Sequence, residues 1–239
     1  MTASLPTVAI LAGGLATRLR PITETIPKAL VPVAGRPFLA HQLELLSRQG
    51  FSRVVLCIGH LGEQIEAAFG NGHAQGVVLE YSRDGANLAG TAGALRQALP
   101  KLGSSFLTLY GDSYLEIDYR PVCAAFDTCG QPALMTVIRD SLGSEPPNAW
   151  LENGAVRAYG KKNQTPEMKH IDYGLSLFRA EAFQDIAPLR DLSDLQSLLA
   201  REGRLAGYEV TTPYFEIGSP RGLQALECHL KSKPITSTP

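Results

Sequence analysis

The sequence predicts an α/β protein: a Rossmann-like, doubly wound and mostly parallel sheet with a small added β-hairpin region. Three observations lead there. Short, nearly unbroken apolar runs alternate with amphipathic stretches through the first half of the chain. Those runs are apolar at successive positions rather than at every second one, as expected of strands covered on both faces. From about residue 141 the style changes, and strand-like runs crowd around an Asn-Gly pair.

Residues 8–11 form the first apolar run, ended by Gly13 and Gly14, and read as a buried strand. After a long loop, "FLAHQLELLSRQG" repeats Phe38, Leu39, Leu43, Leu45 and Leu46 at helical spacing and stops at Gly50. "RVVLCIG" is the second strand, "GEQIEAAFG" a helix with Ile65 and Phe69 four apart, and "GVVLEYS" the third strand. "GTAGALRQALPKL" is a helix entered through glycines, and "SFLTLYGDS" a fourth strand closing on Gly-Asp. "PVCAAFDTC" reads as a short helix and "PALMTVIRD" as another strand.

The loop "SLGSEPPN" follows. "AWLENGAVRAYG" then places two strand-like runs around Asn153-Gly154, a strong hairpin signal. "HIDYGLSLF", "LAGYEV" and "YFEIG" read as strands. Ser193 and Gln196 suggest a capping box opening the helix "DLQSLLAREG". Ser219 is expected to cap a last helix with Pro220 at its first position. The expectation is one domain over 1–232, an α/β half over about 1–140 and a mixed, hairpin-bearing half over about 141–232. The two halves share one sheet, and 233–239 form a flexible tail.

The 239 residues carry a formal net charge of −1, with 44% hydrophobic and 19% charged residues. This balance argues against a protein that grips nucleic-acid phosphates over a broad face. No apolar stretch approaches the ~20 residues that span a bilayer. Cys57, Cys123, Cys129 and Cys228 make no CxxC pair and no zinc-like spacing with histidine. With no signal peptide read at the N-terminus, a cytoplasmic protein is expected.

Against that neutral background, residues 11–35, "LAGGLATRLRPITETIPKALVPVAG", concentrate Gly13, Gly14, Arg18, Arg20 and Lys28 with a single acid. Glycine lets backbone approach a ligand, and its N–H groups can point at oxygens. Arg18 offers a planar fork to phosphate and Lys28 a point charge. Pro21, Pro27 and Pro32 limit the loop's freedom. Neither GxxxxGK[ST] nor GxGxxG is present, which argues against a P-loop and a dinucleotide-binding unit. A loop of merely solvated charges is the plain alternative.

The stretch closely resembles the signature of the sugar-1-phosphate nucleotidyltransferases, LAGG-x-x-TRLRP-x-T-x-x-x-PK-x-L-x-PV-x-G-x-P. The resemblance continues through "GTAGAL" and "YGDS" to "EIGSP" and is nearest in character to the mannose- and heptose-1-phosphate guanylyltransferases. It implies that a sugar-1-phosphate oxygen attacks the α-phosphorus of an NTP and that pyrophosphate leaves. By resemblance, Arg18, Lys28 and Asp112 are catalytic, and Asp112 and Glu216 hold Mg²⁺. Glu216 stands where the family usually has Asp. Leu11, Ala12, Gly13, Gly14, Thr17, Asp84, Gly90 and Thr91 would bind the nucleotide. Lys162, Asp172 and Gly174 would bind the sugar phosphate, although "GKKN" and "IDYG" depart from the family's E-K-P and N-A-G. Asp84 favours GTP, because a carboxylate can accept two N–H groups from guanine and only one from uracil or thymine.

The partners expected are therefore an NTP and a sugar 1-phosphate, with no nucleic acid, no membrane and a possible homodimer. The alternatives are uridylyl or thymidylyl transfer to another hexose 1-phosphate, or a non-catalytic homologue that binds an NDP-sugar. His170 is the one histidine placed near the sugar side.

Overall fold

The computed structural model describes residues 5–85, 88–139, 146–160, 164–184 and 189–232. The first half unfolds along the chain as β1 (Thr7–Leu11), β2 (Pro32–Val33), β3 (Arg36–Pro37), α1 (Phe38–Arg48), β4 (Arg53–Ile58), α2 (Gly62–Phe69), β5 (Val78–Arg83), α3 (Thr91–Leu102), β6 (Ser105–Tyr110) and β7 (Ser113–Tyr114). The second half adds α4 (Arg120–Cys129), β8 (Ala133–Arg139), β9 (Ala149–Glu152), β10 (Ala155–Tyr159), β11 (His170–Arg179), α5 (Leu192–Arg201), β12 (Leu205–Val210), β13 (Phe215–Glu216) and α6 (Pro220–Ser232).

Nine strands form one sheet in the order β5-β4-β1-β6-β11-β8-β12-β10-β9. The first four are mutually parallel, β11 runs antiparallel to β6 and β8, and β12 is parallel to β8. Both halves therefore share the sheet, as expected. Along β1, Val8 and Ile10 enter one core with Leu39 and Leu43 of α1, while Ala9 enters the other with Leu95 and Ala98 of α3. Successive side chains of a strand point to opposite faces. Burial on both faces is the reason the strand reads as unbroken apolar sequence.

The hairpin forms at Asn153 and Gly154, both at positive φ, between β9 and β10. Two local expectations change. Helix α5 starts at Leu192 behind Asp191, whose side chain makes no capping hydrogen bond. Gln196 is instead buried and donates to Ser176 Oγ at 3.0 Å. The predicted capping box is therefore replaced by a core hydrogen bond. The "YFEIG" run yields only two strand residues, and they leave the main sheet to pair with β7. Ser219 does cap α6, accepting from Gly222 N–H at 3.1 Å. Among the described residues, no helix is long and apolar enough to cross a membrane. Lys162 and the tail 233–239 lie outside the described residues.

Candidate active site

The chain passes from β1 first to β4 on one side and later to β6 on the other, so the direction of winding reverses at β1. Ligands of open α/β sheets bind beyond the carboxyl ends of the strands at such a point. Here Leu11 is paired with Tyr110, Ala12 N–H donates to Cys57 C=O at 2.8 Å, and Gly111 N–H donates to Leu11 C=O at 2.9 Å. A methyl on Gly111 would stand 2.5 Å from Leu11 C=O, so only glycine lets the two strand ends meet this closely.

A cavity of about 250 Å³ opens there. Of the sequence-predicted residues, Leu11, Ala12, Gly13, Gly14, Lys28, Asp84, Gly90, Thr91 and Asp112 line it. Lys28 Nζ donates to Asp112 Oδ2 at 2.8 Å. Asp84 accepts from Ala89 N–H at 3.1 Å through Oδ2, and burial raises its pKa above the ordinary carboxylate value. Gly59 makes room for it, since a methyl there would lie 3.1 Å from Asp84 Oδ2 and 2.9 Å from Gly13 C=O.

The basic loop is an ordered wall. Thr23, buried, donates to Ala16 C=O at 2.8 Å, and Gln64 of α2 donates to Thr25 C=O at 3.0 Å. Arg18 and Thr17 stand outside the cavity lining. The exposed Arg18 guanidinium lies 4.0 Å from Glu216 Oε2. Glu216 itself sits on β13 beside the Asp112 turn, where Ile217 N–H donates to Asp112 C=O at 2.9 Å.

Several lining residues escaped the sequence reading. Asp191 and Tyr110 line both this cavity and a second, larger cleft of about 930 Å³ that runs along α5 past Tyr159, Ser193 and Ser197. Asp191 arrives because α5 docks on the start of α3. Arg190 C=O accepts from Ala92 N–H at 2.8 Å, and Leu192 N–H donates to Thr91 Oγ1 at 2.7 Å. An Asp before an apolar helical run reads as a cap, and nothing local marks it as a lining residue. Cys57 also lines the cavity, but burial pushes its thiol up to about 12.

Asp172 lines neither cleft. Its Oδ2 accepts from Tyr159 OH at 3.0 Å and its Oδ1 from Gly174 N–H at 2.9 Å, so it stands behind the tyrosine that forms the wall. Gly174, at φ 95°, leaves space for the Tyr110 ring, 3.4 Å from where a methyl would be. His170 is also absent from both linings and contacts Glu209 at 3.2 Å.

A glycine-walled cavity at the winding reversal, lined by a lysine–aspartate pair and a further carboxylate, defines a nucleotide-handling α/β enzyme. Residues 7–194 match the nucleotidyl transferase family model, and the chain belongs to that family. It is 33% identical over 217 residues to N-acetylmuramate alpha-1-phosphate uridylyltransferase of Neisseria meningitidis, covering 88% of this chain and 92% of that one. It is 28% identical to mannose-1-phosphate guanyltransferase beta-B of Xenopus laevis, covering 89% of this chain and 61% of the relative. In fold it is similar to HddC from Yersinia pseudotuberculosis complexed with GMP-PN, with a TM-score of 0.76 at 23% identity over 95% of this chain and 100% of the other.

Proposed function

We propose that the chain transfers a guanylyl group from GTP to a sugar 1-phosphate of mannose or heptose type and releases pyrophosphate. The observation that carries the choice of base is Asp84, a carboxylate in the same cavity as Lys28 and Asp112. Guanine presents two neighbouring N–H donors to a carboxylate, and uracil and thymine present one. The pairing of GMP-PN with HddC and the guanylyltransferase relatives support this reading.

In the reaction a sugar-phosphate oxygen bonds to the α-phosphorus, and the bond to the bridging β-phosphate oxygen breaks, its electron pair leaving with pyrophosphate. The protein's work is alignment and charge neutralisation. Gly13 and Gly14 admit the triphosphate to the backbone. Lys28 meets charge growing on the α-phosphate, and Arg18 closes over the outer phosphates. Thr17 belongs to the same wall of the loop.

Asp112 and Glu216 are the residues that would hold Mg²⁺, which supplies charge neutralisation on the triphosphate when bound. Among the described residues no three His, Cys, Asp or Glu side chains gather as a metal cage. Two carboxylates completed by water and phosphate suit Mg²⁺. Gly90 and Thr91 face the nucleoside. Asp191, Asp172 through Tyr159, Gly174 and Lys162 serve the sugar phosphate.

The full-length 33% relative favours a second reading, uridylyl transfer to a sugar phosphate of the N-acetylmuramate kind. Pyrophosphate release, followed for each NTP against a panel of sugar 1-phosphates, separates the two. Turnover with GTP plus mannose- or heptose-1-phosphate supports the first. Turnover with UTP alone replaces it by the second. Binding of an NDP-sugar without release under any condition would make the chain a non-catalytic homologue.

A further inference from the structure

Gln42 is buried at 3% exposure in the middle of α1 and does not touch the nucleotide cavity. Its side-chain Nε2 donates to Tyr110 C=O at 3.1 Å and to Ser113 C=O at 2.7 Å. These two carbonyls flank Gly111 and Asp112. The turn between them has two further ties: Gly111 N–H to Leu11 C=O at 2.9 Å, and Asp112 C=O from Ile217 N–H at 2.9 Å. A short polar side chain on a turn wanders unless its backbone is held. Here one amide group holds both shoulders of the turn, using both of its N–H donors.

The same helix holds the segment that follows Lys28, the other partner of the Lys28–Asp112 pair. Phe38 N–H donates to Val31 C=O at 3.0 Å, and His41 Nε2 is 2.9 Å from Val33 C=O. Burial lowers the His41 pKa. The neutral ring bonded to a carbonyl is then the tautomer that carries its proton on Nε2. Neighbouring residues of one helix thus hold the segment that follows Lys28 and the turn that bears Asp112. Among the described residues, none donates a hydrogen bond to Gln42 Oε1. Leucine would fill this core position but offer neither donor.

We infer that Gln42 is a positioning residue that sets the Asp112 carboxylate for nucleotide and metal by clamping Tyr110 C=O and Ser113 C=O. The inference rests on the role proposed for Asp112. Outer groups that orient a ligand change metal affinity or activity by about 10–100-fold when removed.

The test uses the full chain with Gln42→Leu, which keeps size and loses both donors, and Gln42→Glu, which keeps length. For each, kcat and KM for GTP, Mn²⁺ affinity of the GTP complex by electron paramagnetic resonance, and the melting temperature are measured. The expected result for Gln42→Leu is a kcat and a Mn²⁺ affinity each lower by about tenfold, with KM for GTP within about twofold of the parent. Gln42→Glu is expected to recover toward the parent's kcat as pH falls, because its protonated carboxyl regains one O–H donor.

A lowered melting temperature with unchanged kcat and Mn²⁺ affinity in both variants would reduce Gln42 to a packing residue and overturn the inference. Asp112→Asn is the control. If it weakens Mn²⁺ binding while the Gln42 variants do not, only the positioning inference falls. If it leaves Mn²⁺ affinity and turnover untouched, the role of Asp112 falls and takes the inference with it.

Discussion

Lys28 Nζ donates to Asp112 Oδ2 across 2.8 Å, although the two residues are 84 apart in sequence. Neither side chain is fully buried, and both line one cavity. The pair keeps a cation and an anion poised where a nucleotide's phosphates would divide them. In the proposed reaction, arriving phosphates would give Lys28 new anions and free Asp112 for a cation. Lys28→Ala and Asp112→Asn are each expected to lower kcat by about a hundredfold or more, the scale of losing one charge-stabilising donor in a reaction centre. Far-UV circular dichroism should show the fold retained, and steady-state pyrophosphate release measures the loss. Parental turnover in either variant would remove that residue from the mechanism.

Gly218 is defined by what surrounds it. A methyl group there would lie 2.3 Å from Glu216 Oε2 and 2.9 Å from Arg18 Nη2. Both are ends of flexible side chains, so Gly218→Ala folds, and the two charged groups move apart to admit the methyl. The expected outcome is a kcat lowered by about tenfold and a raised Mg²⁺ requirement, with little change in melting temperature. Gly222 differs, because its methyl would stand 2.1 Å from the Glu216 backbone oxygen. Gly222→Ala should lower the melting temperature by several degrees, a shift of a kind that ~1 kcal/mol or more produces in a chain of this size. Thermal scans of the two variants, run beside Mg²⁺ titrations of activity, check the contrast.

What was legible in the sequence follows from what is local. β1, β4 and β6 announced themselves because burial on both faces makes their central positions apolar, Thr108 of β6 excepted. The hairpin announced itself because Asn153 and Gly154 both take positive φ, which few residue pairs tolerate. Lys28 and Asp112 were legible through a long signature, yet no spacing rule predicts that they meet. Asp191 and Gln42 were not legible at all. One reaches the cavity by the docking of α5 on α3, and the other reads as an ordinary polar residue in an amphipathic helix. The Ser193–Gln196 capping pattern misled because burial against Ser176 recruits Gln196 to the core, a competition that local pattern cannot weigh.

If Asp84 reads the base as proposed, base preference will depend on pH. Burial raises its pKa above the ordinary aspartate value, against a smaller opposing effect of the Ala89 N–H bond. Protonation removes an acceptor that guanine needs. The KM for GTP should therefore rise on acidification, while the KM for UTP changes less. Asp84→Asn keeps one acceptor oxygen and should raise the GTP KM by about tenfold at neutral pH, near 1.4 kcal/mol. Initial rates with both nucleotides across the pH range test this, and a GTP KM that is flat with pH and unchanged in the variant would remove Asp84 from base recognition.

His41 ties stability to pH through the same helix that carries Gln42. Burial is the largest effect lowering its pKa, with Arg36 and Arg48 adding to it, against the Val33 carbonyl and Glu44, which raise it. The folded-state pKa thus lies below the unfolded value of about 6.5. The unfolded chain therefore binds more protons in that window, and the contribution to stability is present above about pH 6.5 and lost as pH falls through the folded pKa. The melting temperature should fall on acidification from about pH 7.5 to 5.5. His41→Gln keeps an N–H donor for Val33 C=O but cannot titrate, so its melting temperature should fall by less over the same range. Equal slopes for parent and variant would show that protonation of His41 does not loosen the joint between α1 and the segment that follows Lys28.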